Sequence, residues 1–160
     1  MSLWPPTTFS DLTASAAVTV AGLSAFFAIR TFRQNVNVRR AELLKHLYSM
    51  FYETQTYSRM RHLLDYRPEP EFSRLRTHVE DSDGGDADFG IYLNFFEYVA
   101  GLWSLRQLST SDVEVLFHYY LKELKFNPKL QFARNYMNQW SFVYLGALLE
   151  KISEKKQAHR

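Results

Sequence analysis

Cysteine is absent from all 160 residues. Its absence excludes a disulfide framework, thiolate zinc and iron–sulfur sites, and a cysteine nucleophile. Glycine (6) and proline (5) are scarce, which argues against a turn-rich all-β fold and against low-complexity disorder. Neither charge sign is in strong excess. The formal net charge is +2, far from the basic balance of a dedicated nucleic-acid binder, so nucleic acid is not an expected partner. Also missing are the Gly-x-Gly-x-x-Gly fingerprint, the Walker loop and the Gly-x-Ser-x-Gly elbow. What the chain does have is apolar mass, 46% hydrophobic and 16% aromatic, at a length that suits one compact domain plus an appendage.

The appendage lies near the N-terminus. Leu12 to Ile29 reads LTASAAVTVAGLSAFFAI, 18 residues without a charge. In lipid a backbone must satisfy its own polar groups, so such a run forms a helix. At about 1.5 Å per residue it is roughly 27 Å long, close to the hydrocarbon thickness of a bilayer. Arg30 can snorkel to the headgroups while Thr31 and Phe32 extend the span to residues 12–32. Trp4 suits the interfacial belt, and Ser10 or Asp11 can cap the helix start. Arg30, Arg33, Arg39 and Arg40 follow the run, whereas only Asp11 and the α-amino group precede it. The positive-inside rule then leaves a short extracytoplasmic N-terminus, residues 1–11, and places the rest in the cytoplasm below the inner membrane. No basic segment precedes the run, which disfavours a cleaved signal peptide. Ala14, Ala17, Ala21, Ala25 and Ala28 recur at steps of three or four, a small-residue face on which a second membrane helix can pack. The competing reading takes the same run, rich in Ala, Ser and Thr, as a core helix of a soluble bundle.

Residues 33–150 read as a cytoplasmic bundle of about four helices. Leu43, Leu44, Leu47, Met50 and Phe51 fall at helical spacing. Tyr57, Met60, Leu63 and Leu64 resume the stripe after a polar break at residues 53–56. Pro68 and Pro70 end that helix, and residues 72–79 offer one or two turns. Residues 80–88 form an acidic loop. Ile91 to Leu105 is a helix burying Tyr92, Phe95, Phe96, Val99, Leu102 and Trp103. Ser111 with Glu114 has capping-box spacing for the next, which buries Val113, Leu116, Phe117, Tyr120, Leu121 and Leu124. Asn127-Pro128 is a cap with a first-turn proline. It opens a last helix with Ala133, Met137, Trp140, Tyr144 and Ala147 along its seam, and residues 151–160 are a charged tail.

Tests for chemistry come out negative, and no catalytic, cofactor-binding or metal-ligating set emerges. Glu114 and His118 stand at i, i+4, but no Glu-x-x-His or His-x-x-x-His pair exists to complete a metal site. The acidic loop fails the EF-hand pattern, because Gly85 and Asp86 fall where a ligand and the invariant glycine belong. One polar feature stands out: Asn94 and Glu97 lie one turn apart on an otherwise apolar helix. A carboxylate near a core needs a cation or several donors, and Arg59, Arg61 and Arg134 are the expected partners.

The segments Arg61-His62-Leu63-Leu64-Asp65-Tyr66, Leu93-Asn94-Phe95-Phe96-Glu97-Tyr98 and Leu108-Ser109-Thr110-Ser111-Asp112-Val113, behind an N-terminal anchor, resemble a family of small bacterial proteins catalogued only as a domain of unknown function. The resemblance covers about Arg40 to Leu124. It implies a bacterial source and an all-helical, often membrane-anchored fold, and it supplies no activity. It marks Arg61, Asp65, Asn94 and Glu97 as a polar cluster of interest. The expected function is therefore that of a non-enzymatic membrane protein, a sensor, adaptor or assembly factor. Its expected partners are the lipid bilayer, a protein of unknown identity, and further copies of itself. A membrane-tethered enzyme or ligand binder with a pocket at Asn94 and Glu97 is the alternative.

Overall fold

A computed structural model describes the backbone of residues 9–81 and 86–157 and the side chains of residues 20–80 and 86–152. Among these the fold is all-α, with seven α-helices and no strand. The chain divides into two compact units, one ending at Glu42 and the other beginning at Leu43.

The first unit is helical throughout its described part, within α1 (Phe9–Tyr48). Among the described residues no helix is long and apolar enough to cross a membrane. Of the apolar run, the side chains of residues 12–19, including Ala14 and Ala17, lie outside the described residues. Ala21, Ala25 and Ala28 are exposed.

The second unit is built around one side chain, Phe51. After α1 the chain makes a π-helical turn (Ser49–Glu53) and a 3-10 turn (Gln55–Tyr57), then enters α2 (Ser58–Tyr66). The break falls on the polar stretch where the apolar stripe lapses, and it lets Leu47, Phe51, Met60, Leu63 and Leu64 all reach the core. Phe51 is fully buried. Seven rings surround it with centroids 4.9–6.0 Å away: Tyr52, Tyr57, Tyr92, Phe95, Phe96, Phe117 and Tyr120. Most are edge-on or tilted, the arrangement that the ring quadrupole favours. These rings come mainly from α4 (Ala87–Ser104) and α5 (Thr110–Phe126). A second aromatic layer joins Phe72 on α3 (Glu71–Asp81), Phe89 on α4, and Phe132 and Tyr136 on α6 (Gln131–Gln139).

The bundle is more divided than the expected four helices. Residues 72–79 belong to a full helix, α3, which buries Phe72, Leu75 and Val79. The cap of α5 is Ser109 with Asp112, not Ser111 with Glu114. The Ser109 hydroxyl accepts from the Asp112 N–H at 3.2 Å, and the Asp112 carboxylate accepts from the Ser109 N–H at 2.8 Å. This box opens the helix two residues earlier, and each of its two side chains satisfies the other residue's backbone N–H. Asn127 does cap the turn that Pro128 opens, accepting from the Lys129 N–H at 2.9 Å.

The expected last helix is two helices. Ser141 takes a left-handed φ of 57°, the Phe142 N–H bonds back to the Met137 carbonyl at 3.0 Å, and α7 (Val143–Gln157) starts on a new axis. Only Ala133 and Met137 of the expected seam are buried, while Trp140, Tyr144 and Ala147 are exposed. Leu145, Leu148, Leu149 and Ile152 replace them in the core. Most of the charged tail is helical, because α7 continues to Gln157. Of the acidic loop, residues 82–85 lie outside the described residues.

Candidate functional site

The four marked polar residues separate into two places. Arg61 and Asp65 lie on α2, against the π-helical turn and α5. Asn94 and Glu97 lie on α4.

Arg61 is a clamp for the bend after α1. Its guanidinium donates to the carbonyls of Phe51 and Tyr52, the second at 3.1 Å. It also stands 5.4 and 5.8 Å from the centroids of the Phe51 and Tyr52 rings. Carbonyls at a helix end lack intrahelical donors, and a planar cation supplies both the donors and a contact to the ring faces.

Asp65 is half-buried. Its Oδ2 accepts a long 3.4 Å hydrogen bond from the Tyr120 hydroxyl. Its Oδ1, the Tyr92 hydroxyl and the Arg67 Nε are buried with no hydrogen-bond partner among the described residues. Arg67 instead pairs through another nitrogen with Glu123, whose carboxylate also accepts from Asn127 at 2.6 Å. Burial pushes the Asp65 carboxyl above its ordinary range, and the Tyr120 hydroxyl, Arg61 and Arg67 only partly offset this. Burial likewise holds the phenols of Tyr92 and Tyr120 above theirs. Tyr92 and Tyr120 were expected in the core, but not as companions of Asp65. The available signal was the hydroxyl itself, since a buried tyrosine O–H requires a polar neighbour. This group can hold a proton, but its phenols are sealed in the packed interior.

The titration of Asp65 has a sign that can be measured. A carboxyl raised in the folded state contributes stability that is full below its unfolded value near 3.9 and is lost as pH rises through the higher folded value. Asp65→Asn keeps the size and an acceptor for Tyr120 but cannot ionise. It is expected to unfold at higher urea than the parent at neutral pH, with the gap closing toward pH 4. A variant less stable than the parent at neutral pH contradicts this reading.

Glu97 does not meet an arginine. Its Oε1 accepts from the Tyr144 N–H at 3.0 Å and its Oε2 from the Leu145 N–H at 2.7 Å. Those N–H groups belong to the first turn of α7, which has no intrahelical acceptors for them and carries positive partial charge. Glu97 is thus a cap supplied from a neighbouring helix, and it fixes where α7 begins. Arg59 pairs instead with Asp86 at 3.2 Å and Asp88 at 2.5 Å. Arg134 donates to the carbonyls of Leu124 and Asn127 at 2.9 and 3.0 Å, closing the end of α5. Asn94 is exposed, and it is not among the groups that Glu97 bonds. Removal of an N-terminal cap costs about 0.5–2 kcal/mol, so Glu97→Ala is expected to lower unfolding free energy by that amount. Glu97→Gln, which keeps one acceptor, should restore part of it. A urea titration of the three proteins measures both.

Among the described residues, no group of three or more His, Asp and Glu side chains is placed to hold a metal ion. The chain matches no protein-family model, and no curated protein or solved structure matches it.

Proposed function

We propose that the chain is a single-pass protein of the bacterial inner membrane, whose helical domain is a non-enzymatic interaction module on the cytoplasmic side. One observation carries this: an uncharged run followed by four arginines, on a helix that offers apolar side chains all around. Steps of three turn about 300° each, so Val20, Leu23, Phe26, Ile29 and Phe32 sweep most of the circumference of α1. All five are more than half exposed. A helix at a water interface places polar residues over part of that arc, whereas a helix apolar on every side suits lipid or a large protein core. The four basic residues after the run and the single acid before it favour lipid, and set the orientation.

The non-enzymatic part rests on where the polar residues are spent. Arg61, Glu97 and Arg134 each satisfy backbone groups at helix ends. Asp65, Tyr92 and Tyr120 face the interior. A tethered enzyme with a pocket at Asn94 and Glu97 loses its main residue, because both Glu97 oxygens are occupied by α7.

The lack of native cysteine makes the topology directly testable. In cells carrying Ser2→Cys or Ser104→Cys, an impermeant maleimide is expected to label Cys at position 2 in intact cells. Cys at position 104 should label only after lysis. Labelling of position 104 in intact cells, or protection of both positions until lysis, overturns the orientation.

A further inference from the structure

We infer that the module binds a second copy of this chain through the outer face of α4 and the adjoining start of α7; the inference rests on the interaction-module reading for its premise that the domain binds protein. Steps of three and four place Ile91, Asn94, Tyr98 and Gly101 along one side of α4, with Leu105 following as its C-cap residue. Ile91, Tyr98 and Leu105 are exposed there, Leu105 by 70%. The surface continues onto α7. Tyr144 packs beside Gly101, its Cδ2 4.0 Å from where a Cβ would stand, and its neighbour Val143 is 67% exposed. Trp140, four residues before Tyr144 in the chain, is 49% exposed. Scattered single apolar residues on a surface need no explanation, but a contiguous group of this size does. Trp and Tyr are also the side chains that dominate binding energy at protein interfaces.

Charge selects the occupant. From Phe89 to Leu105 the one carboxylate or basic side chain is Glu97, and from Trp140 to Leu149 there is none. Glu97 spends both oxygens on α7. The face therefore has no lysine or arginine to hold anionic lipid or nucleic acid, and its one carboxylate is held by the backbone of α7. A two-fold dimer is the case in which neutrality is an advantage. Residues at the axis meet their own copies, so any net charge there repels itself. Asn94, in the middle of the α4 stripe, carries an amide that both donates and accepts, so it can pair with itself across the axis. A single polar Asn sets register in coiled coils in the same way. With large aromatic side chains of roughly 150–250 Å² each, the exposed parts of the six apolar side chains offer on the order of 700 Å² per copy. A standard interface uses about 800 Å² per partner.

Single-cysteine crosslinking of the full chain tests this in isolated membranes and in mild detergent. Under copper-phenanthroline oxidation, Asn94→Cys is expected to give a disulfide-linked dimer as the main product. Val115→Cys, 81% exposed on α5, should stay monomeric. Tyr98→Cys repeats the test with Asn94 intact, and adding Leu105→Glu to it should cut the dimer at least tenfold. Equal crosslinking at positions 94 and 115, monomer at both 94 and 98, or a link only to a different protein overturns self-association. A dimer formed by a chain that alkali strips from membranes upholds this surface and rejects the anchor; a monomer that alkali leaves in the membrane does the opposite.

Discussion

Phe51→Ala is expected to lower the unfolding free energy by about 3–5 kcal/mol, the range for truncating a buried phenylalanine. The upper part of that range is favoured by what surrounds it. The ring is fully buried and touches rings contributed by the π-helical turn, the 3-10 turn, α4 and α5. Four separate segments cannot all move inward to fill one cavity, so the lost contacts stay lost. The Arg61 guanidinium loses one of its two ring faces as well. Domains of this size have about 5–15 kcal/mol in total, so the variant sits at the edge of folding. Phe51→Leu, which keeps most of the volume, should show a smaller loss of the same sign. Val115→Ala, on a side chain 81% exposed, should change stability by less than about 0.5 kcal/mol. Urea unfolding followed by tryptophan fluorescence measures all three. A loss below 1 kcal/mol for Phe51→Ala would mean that the aromatic cluster is not the centre of the fold.

The second large effect concerns the anchor. The run Leu12 to Ile29 is only moderately apolar, with six alanines and five Ser, Thr and Gly residues, so the insertion proposed for it has little margin. An arginine near the middle of a membrane helix costs about 2.5–3.5 kcal/mol. The double variant Leu23→Arg, Phe26→Arg is therefore expected to shift the protein from the membrane fraction to the soluble fraction or to degradation. The helical domain should keep its far-ultraviolet circular dichroism, because neither residue belongs to its core. Ser24→Leu, which removes a polar group from the same stretch, should leave membrane association intact. If the arginine variant remained as firmly membrane-bound as the parent, lipid contact through this run would be ruled out.

Legibility of the sequence differed between levels. Apolar spacing revealed the core of α4 and α5 and the break before α2, because burial of one helix face is a strong periodic constraint. It failed at residue 141. No glycine or proline marks that point, and the turn is held by a serine in a left-handed conformation together with a carboxylate arriving from α4. A cap supplied across space leaves no local pattern. The same cause explains the polar residues. Asn94 and Glu97 look like a pair because they are one turn apart, yet Glu97 turns toward α7 and Asn94 toward solvent. Asp65 and Tyr120 are 55 residues apart, and only the packing of α2 on α5 brings them together. The cap at Ser109 was within reach, since Ser109 and Asp112 have the same local spacing as Ser111 and Glu114. Val113 and Phe117 share one helix face under either cap, so apolar spacing could not decide between them.

The membrane assignment is tested most directly by alkaline carbonate extraction of membranes from cells expressing the unmodified chain, with the pellet and supernatant compared by immunoblot. Retention in the pellet until detergent is added is the expected result, as a helix held by lipid contact does not leave when charge–charge contacts are stripped. Complete release into the alkaline supernatant would show that Leu12 to Ile29 does not reside in the bilayer, and the inner-membrane localisation and the cytoplasmic orientation would both be withdrawn.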